Sequence, residues 1–464
     1  MDYFFRSILS TEILMLLSLL AFFATFAFLL MRIRAEKIRL VPLFSILIAG
    51  LTLRLFWIAL TQPLPHSDFA VYWDYAQRFY EGNYTFDIIE RHPGIILLYT
   101  FALMLLKPVM TVLYAGWTFN LAVSAIFLLT LFKLTQELFD EKTAWLALLL
   151  GVTLPQLIAY NALMASEMPA IAYLCMALWL TLQIRKGNVP NMLGWPGLSL
   201  VLSGAVLLRS TTLLLILLMP VAILIIRAPR WKSALGGTSA MVACTGLCLS
   251  TWIYHQQLIT GIPKLFFGEE LWTAFASQYQ HGGSVTALSD LPYYARYQSV
   301  LDGTVAGKIR SYHILGEESW RLISQDPLKY LLFGFTRLRG ILWSAQSGIL
   351  WSTNHSPVWP FSQKVVRNLT EISTVFWRFL LISLFTLTSR LIEPKTLPNP
   401  LSPEVRELRL LIMLFIAFWL GFHFLLSVAS ERYAFQLIPF VLMFSAWGVT
   451  GMLSFLQPLI FKRN

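Results

Sequence analysis

The sequence predicts an all-α protein that crosses a membrane many times, and three observations predict it. Hydrophobic residues make up 57% of the 464 residues and charged residues only 13%, where a soluble domain carries about a quarter charged residues. The apolar residues fall in runs of about twenty, the length a helix needs to cross the hydrocarbon core. Lys and Arg give a net charge of +11 and gather in the short segments between those runs. That is the positive-inside pattern of an integral membrane protein, not the basic face of a nucleic-acid binder.

Spans are predicted over about 9–31, 41–61, 112–133, 143–160 and 169–184. They continue over about 194–209, 211–227, 234–254, 370–389, 408–428 and 434–459, about eleven in all. The first run ends in Met31-Arg32-Ile33-Arg34 rather than a small-residue cleavage site, so it reads as a retained helix and not a signal peptide. Pro155 and Arg209 separate closely spaced pairs of spans. Cys175, Cys244 and Cys248 all sit inside apolar runs, where they pack helices rather than staple a loop or bind a metal.

The basic segments set the orientation. Arg32, Arg34, Lys37 and Arg39 crowd the first connection. Arg185 with Lys186, Arg227 with Arg230 and Lys232, Arg390 with Lys395 and Arg406, and Lys462 with Arg463 mark others. With eleven spans these all face the cytoplasm and the N-terminus faces out. The segment Lys133 to Lys142 is the weak member, because Glu137, Asp140 and Glu141 dilute it. Residues 62–111, residues 255–369 and the turns near Glu167 and Ser430 share the opposite, outer face. Pro93 to Leu106 is apolar but too short to span, so a juxtamembrane or re-entrant helix is expected there. Residues 328–345 mix apolar residues with Lys329, Arg337 and Arg339, as in a helix lying in the interface. Trp343, Trp351 and Trp359 suit the same interfacial belt.

Chemistry-bearing side chains cluster on that outer face. Asp68, in Pro65-His66-Ser67-Asp68-Phe69, follows directly after the second span. It is placed either to cap the helix starting near Ala70 or to act as a partly desolvated general base. Glu167 lies among apolar residues at a membrane boundary, where an acid is expensive and faces a cavity or partner. Its position before Pro169 equally suits a first helical turn. Arg209 interrupts an apolar stretch; it snorkels, or its guanidinium holds an anion such as phosphate. Arg432, in Ser430-Glu431-Arg432-Tyr433, is either half of a solvated pair or a second phosphate ligand. His66 and His92 lack a defined third ligand and make only a weak signal for a divalent metal. No phosphate-cradling P-loop, dinucleotide fingerprint or HExxH is present.

Taken in order, these residues resemble the GT-C membrane glycosyltransferases, in particular the protein O-mannosyltransferases and the lipid A aminoarabinose transferases. The resemblance covers about residues 45–235 and the last two spans. Its elements are Ser67-Asp68, Tyr72, Gly82, His92-Pro93-Gly94, Ser166 to Pro169, Arg209 and Glu431-Arg432-Tyr433. The chain departs from the pattern by an extra span at the start, by Glu167 where many relatives carry Asp, and by His92-Pro93 where a Pro-Pro is common. The resemblance implies a GT-C-like bundle with an extra N-terminal helix (1–40), a catalytic module (41–254), an outer region with interfacial helices (255–369) and C-terminal transmembrane helices (370–464).

It also implies the chemistry. A sugar passes from a polyprenyl-phosphate donor to an acceptor hydroxyl on a lipid, glycan or protein, with inversion, on the periplasmic face of the inner membrane. Asp68 is then the base, Glu167 orients partners, and Arg209 and Arg432 hold the donor phosphate. His66, Tyr72, Arg91, His92, Glu431 and Tyr433 are left to contact acceptor or sugar. No cofactor is required and no nucleic-acid partner is expected. The rival readings are a flippase or transporter of lipid-linked glycans, for which no inverted repeat is visible, and a polymerase or ligase of such glycans.

Overall fold

The described parts of the predicted spans fall largely on helix in the computed structural model, which describes residues 2–36, 39–83, 92–226, 231–265, 294–302, 304–385, 402–426 and 430–461; residues 227, 386–389 and 427–428 of three spans lie outside them. In order these are α1 (Asp2–Ala35), α2 (Leu40–Thr61), α3 (Ser67–Tyr80), α4 (Pro93–Leu106), α5 (Val112–Leu138), α6 (Glu141–Thr153) and α7 (Pro155–Tyr160). α8 (Glu167–Arg185), α9 (Asn191–Leu208), α10 (Leu213–Ile226) and α11 (Trp231–Thr260) follow. Next come α12 (Tyr294–Ser299), α13 (Val305–Gln325), α14 (Pro327–Leu342) and α15 (Ser347–Asn354). α16 (Gln363–Phe385), α17 (Pro403–Leu426) and α18 (Ile438–Phe461) complete the described chain. Short 3₁₀ turns at Ser210–Thr212 and Glu431–Leu437 precede α10 and α18. No strand occurs among the described residues.

Seven helices among the described residues, rather than eleven, are long and apolar enough to cross a membrane: Thr11–Ala35, Leu40–Thr61, Val112–Leu138, Glu167–Arg185, Asn191–Leu208, Pro403–Leu425 and Glu431–Leu453. The chain is an integral, multi-pass membrane protein. The shortfall has local causes. Pro155 breaks the run 143–160 into α6 and α7, and Ser210–Ile226 is a shorter apolar helix. α16 carries Lys364, Arg367, Glu371 and Arg378, and α11 is diluted by glycine, serine and threonine.

α8 is the axis of the bundle, buried from Glu167 to Ile184. It packs on α5 and α9, with α1 and α11 against the far side of α9 and α17 against α10. α4, expected to be a juxtamembrane or re-entrant helix, is buried from Pro93 to Thr100 between α3, α5 and α9. Gly94 makes that insertion possible. A Cβ there would lie 2.7 Å from the backbone carbon of Leu207, so a side chain would force α4 off the end of α9. On α14, Leu328, Leu331, Leu332 and Phe335 form an exposed apolar stripe at helical spacing.

The break between α6 and α7 leaves carbonyls without helical donors, since Pro155 has no N–H to offer Gly151. Arg54, fully buried in α2, supplies them. Its guanidinium donates to the carbonyls of Gly151 (2.9 Å), Val152 (3.2 Å) and its own Gly50 (3.0 Å). A charge inside a span is thereby satisfied by the defect it repairs.

Ionic contacts mark the two ends of the bundle. At one end Lys133 pairs with Glu36 and Glu137, Lys186 with Glu137 (2.6 Å), and Arg185 with Glu407 (3.0 Å). Glu137, read as diluting a basic loop, is the acceptor that gathers Lys133, Lys186, Trp179 and Gln183 there. The other end carries Asp68, Glu167, Arg209 and Arg432.

Candidate active site

Asp68 is placed by the way α2 stops. Pro63 and Pro65 cannot continue a helix, Gln62 turns left-handed (φ 38°), and the chain runs extended to His66. The Leu64 N–H donates to the His355 carbonyl (3.0 Å), tying this connection to the end of α15. Ser67 then takes φ 50°, a left-handed conformation costly for a residue with a side chain. His66 occupies the N-cap position and its carbonyl accepts from the N–H groups of Phe69 (3.0 Å) and Ala70 (3.2 Å). Asp68 lies in the first turn, and its Oδ2 accepts from Arg432 Nη1 at 2.8 Å.

Four charges form a chain. Glu167, the first residue of α8, receives Arg432 Nε and Arg209 Nη2 on the same oxygen, Oε1. Arg209 sits where α9 gives way to the 3₁₀ turn. The Glu167 side chain is fully buried and that of Arg209 is 9% exposed, whereas Arg432 is 16% and Asp68 25% exposed. Exposure therefore rises from Glu167 through Arg432 to Asp68. Arg209 is buried and paired rather than snorkelling. Two carboxylates and two guanidiniums balance, which is what holds charges this deep.

Arg432 also lies over the rings of Phe69 (5.2 Å) and Trp351 (5.8 Å), contacts that favour a cation. Its neighbour Glu431 points elsewhere. The Glu431 Oε1 accepts from the backbone N–H groups of Gln346 (2.9 Å) and Ser347, at the start of α15. Tyr160 reaches the Ser347 hydroxyl at 3.0 Å, and Trp57 donates to Ser352 at 3.2 Å. α15 is thus fastened beside Asp68 by α2, α7 and the 3₁₀ helix.

The remaining sequence-predicted residues distribute around this core. The His66 ring stacks on His355 with centroids 3.4 Å apart, and its edge meets Phe69 at 5.3 Å. Burial, with help from His355, pushes the His66 imidazole below its ordinary value, against the opposing pull of the Leu64 carbonyl and Asp68. Tyr72 is buried on α3 within electrostatic reach of Arg432. Tyr433 packs with its ring 5.3 Å from that of His423. His92 takes the N-cap position of α4, and Arg91 lies outside the described residues. No three His, Cys, Asp or Glu side chains converge as a metal-ligand set among the described residues. Sequence did not single out Arg54, His355, His423 or Gln436, and it assigned Trp351 to the interfacial belt alone. Arg54 and His423 were visible as ionisable residues inside apolar runs; α15 carries no motif.

No family model and no curated protein matches this sequence. Solved structures do match it. The archaeal oligosaccharyltransferase AglB from Archaeoglobus fulgidus, in complex with an inhibitory peptide and a dolichol-phosphate, superposes with a TM-score of 0.50 at 14% identity. The match covers 89% of this chain and 50% of that one. The chain has a GT-C-like fold. The Archaeoglobus fulgidus enzyme in its apo form covers 91% of the chain at 13% identity and a TM-score of 0.44. Its complex with Zn and sulfate covers 89% at the same identity and TM-score. The chain spans about half the length of these structures, 49% to 52%. The GT-C-like fold agrees with the α-only, multi-span architecture read from the sequence.

Proposed function

We propose that the chain is a membrane glycosyltransferase that moves a sugar from a polyprenyl-phosphate donor to an acceptor hydroxyl at the extracytoplasmic end of the bundle, with inversion. One observation supports this most: partly exposed Asp68 is joined through Arg432 to the buried Glu167–Arg209 pair. A carboxylate that a substrate can reach is paired with a guanidinium, and a general base must lie within reach of the proton it takes. The acceptor oxygen attacks the anomeric carbon and its proton passes to Asp68. The bond from that carbon to the phosphate oxygen breaks, and the lipid phosphate leaves with the electron pair. Arg209 and Arg432 offset its developing charge, each guanidinium having five N–H donors. Glu167 orients both arginines.

Glu431 in this reading positions α15 and hence Trp351 and His355, while His66, Tyr72, His92, Arg91 and Tyr433 are the residues left to meet sugar or acceptor. The scheme requires no metal, because Arg432 supplies positive charge between the two carboxylates. The dolichol-phosphate held by the archaeal oligosaccharyltransferase is a lipid phosphate of the proposed class. The acceptor class is a lipid, glycan or protein hydroxyl.

The test is reconstitution of the purified protein with polyprenyl-phosphate sugars and measurement of released lipid phosphate. Asp68→Asn is expected to insert normally and to lose transfer by at least about a hundredfold. Near-normal turnover in Asp68→Asn overturns the base assignment. Donor-dependent translocation without glycosidic bond formation identifies a flippase instead.

A further inference from the structure

The cluster behind Arg209 contains buried polar atoms that the transfer scheme does not use. His423, on α17, is 2% exposed, and neither of its ring nitrogens has a hydrogen-bond partner. Its ring lies 3.9 Å from that of Trp419, and it is near enough to Arg209 to interact electrostatically. Gln436, on the 3₁₀ helix that also carries Arg432, is 4% exposed. The Gln436 Oε1 accepts from Thr211 (2.5 Å) and from Trp419 Nε1 (3.1 Å), which fixes the orientation of its amide. That leaves the Gln436 Nε2 as an unpartnered donor. Thr212, three residues after Arg209, is 1% exposed and its hydroxyl is also unpartnered.

Buried polar groups are nearly always paired, so orphans on elements linked through Trp419 and Thr211 call for a cause. Here they share a chemistry: an amide N–H, a hydroxyl, an imidazole and a guanidinium all present donors. Glu167, the only carboxylate joined to the cluster among the described residues, is already engaged by both arginines. Donors converging beside a guanidinium in a dry site complement an oxyanion with several acceptor oxygens.

We propose that His423, Gln436 and Thr212 complete, with Arg209, a buried subsite for a phosphate ester. The proposal rests on the transferase reading and deepens it: the ester is the phosphate of the polyprenyl donor. That phosphate then meets Arg209, the guanidinium that offsets its developing charge in the transfer scheme. His423 and Gln436 act on binding, with Asp68 acting on transfer.

The test compares binding of radiolabelled undecaprenyl phosphate and of undecaprenol to the full-length protein in nanodiscs. His423→Phe and Gln436→Leu are each expected to weaken the phosphate at least about tenfold, the scale of a lost hydrogen bond to a charged group, and to leave undecaprenol unchanged. His423→Gln keeps an N–H donor and is expected to recover most of the affinity, which also covers the case in which His423→Phe folds poorly. Equal affinity in all variants overturns the proposal. So does an equal loss for both lipids, which marks a packing role. Inorganic phosphate or phosphatidate competing as well as undecaprenyl phosphate overturns the assignment to the polyprenyl donor. The two readings separate cleanly. Loss of transfer in Asp68→Asn with no phosphate selectivity at His423 and Gln436 leaves the transferase and removes the subsite. Phosphate selectivity without sugar transfer does the reverse.

Discussion

Glu167→Gln takes one negative charge from a group of two carboxylates and two guanidiniums, and does so at a side chain with no exposure. The amide keeps nearly the same volume, so packing is preserved and the effect is electrostatic. Two charge-assisted hydrogen bonds, from Arg209 and Arg432, are replaced by neutral ones, and the group acquires an unbalanced positive charge. Breaking a buried pair by neutralising one partner costs about 3–5 kcal/mol. Arg432 retains Asp68 at 2.8 Å and is partly exposed, so Arg209 bears most of that cost. The assay is equilibrium unfolding in mixed micelles, run as a double-mutant cycle with Arg209→Met. Glu167→Gln is expected to lose about 3–5 kcal/mol, and the double variant less than the sum of the two singles, because neutrality returns. A loss under about 1 kcal/mol, within the range of an exposed pair, or strict additivity in the cycle, refutes the idea that Glu167 holds both arginines.

Other perturbations test the frame around the site. Arg54→Met strands the carbonyls of Gly151 and Val152 at the α6–α7 break; at about 1–3 kcal/mol per unsatisfied group, a loss of about 2–5 kcal/mol is expected in the same unfolding assay. Gly94→Ala drives a methyl against the Leu207 backbone, and overpacking of this kind costs about 1–3 kcal/mol; transfer is expected to fall as well, since α9 carries Arg209 at its end. His66 predicts an acid limit. Its pKa is lower in the fold than in the open chain, so the open chain takes up the proton first and the fold loses stability as pH falls below the ordinary imidazole value of about 6.5. His355, Asp68 and the Leu64 carbonyl face it; His66→Phe is expected to flatten the acid side of the stability profile, and an unchanged profile refutes the assignment.

Which parts of this were legible in the sequence follows from the range of the interactions. Helix positions depend on runs of apolar residues, and every run gave a helix. The number of spans depended on finer features, such as Pro155 dividing α6 from α7, that a hydropathy run averages away. The four charges around Glu167 could be named because membrane burial makes each ionisable residue conspicuous. Their wiring could not. Nothing local distinguishes Glu431, which holds α15, from Arg432, which bridges Asp68 and Glu167, although they are adjacent; only the packing of α15 and α8 on either side decides it. α4 reads as too short to span, yet it is buried because Gly94 lets it approach α9, a fact about two distant segments. Trp351 and His355 reach the site through contacts from Leu64, Tyr160 and Glu431 that are far apart in the chain.

The adjacency of Glu431 and Arg432 has a mechanical consequence. Both are on one 3₁₀ helix, so any motion that lifts α15 through Glu431 also acts on the guanidinium between Asp68 and Glu167. Gln436, at the other end of the same short helix, touches Thr211 next to Arg209. The 3₁₀ helix therefore contacts three places at once: Asp68, the buried Glu167–Arg209 pair and Thr211. A stretch of seven residues that makes all these contacts has little freedom to let one change alone. Binding an anion beside Arg209 would then be felt at Asp68 through Glu167 and Arg432, without any movement of the spans themselves.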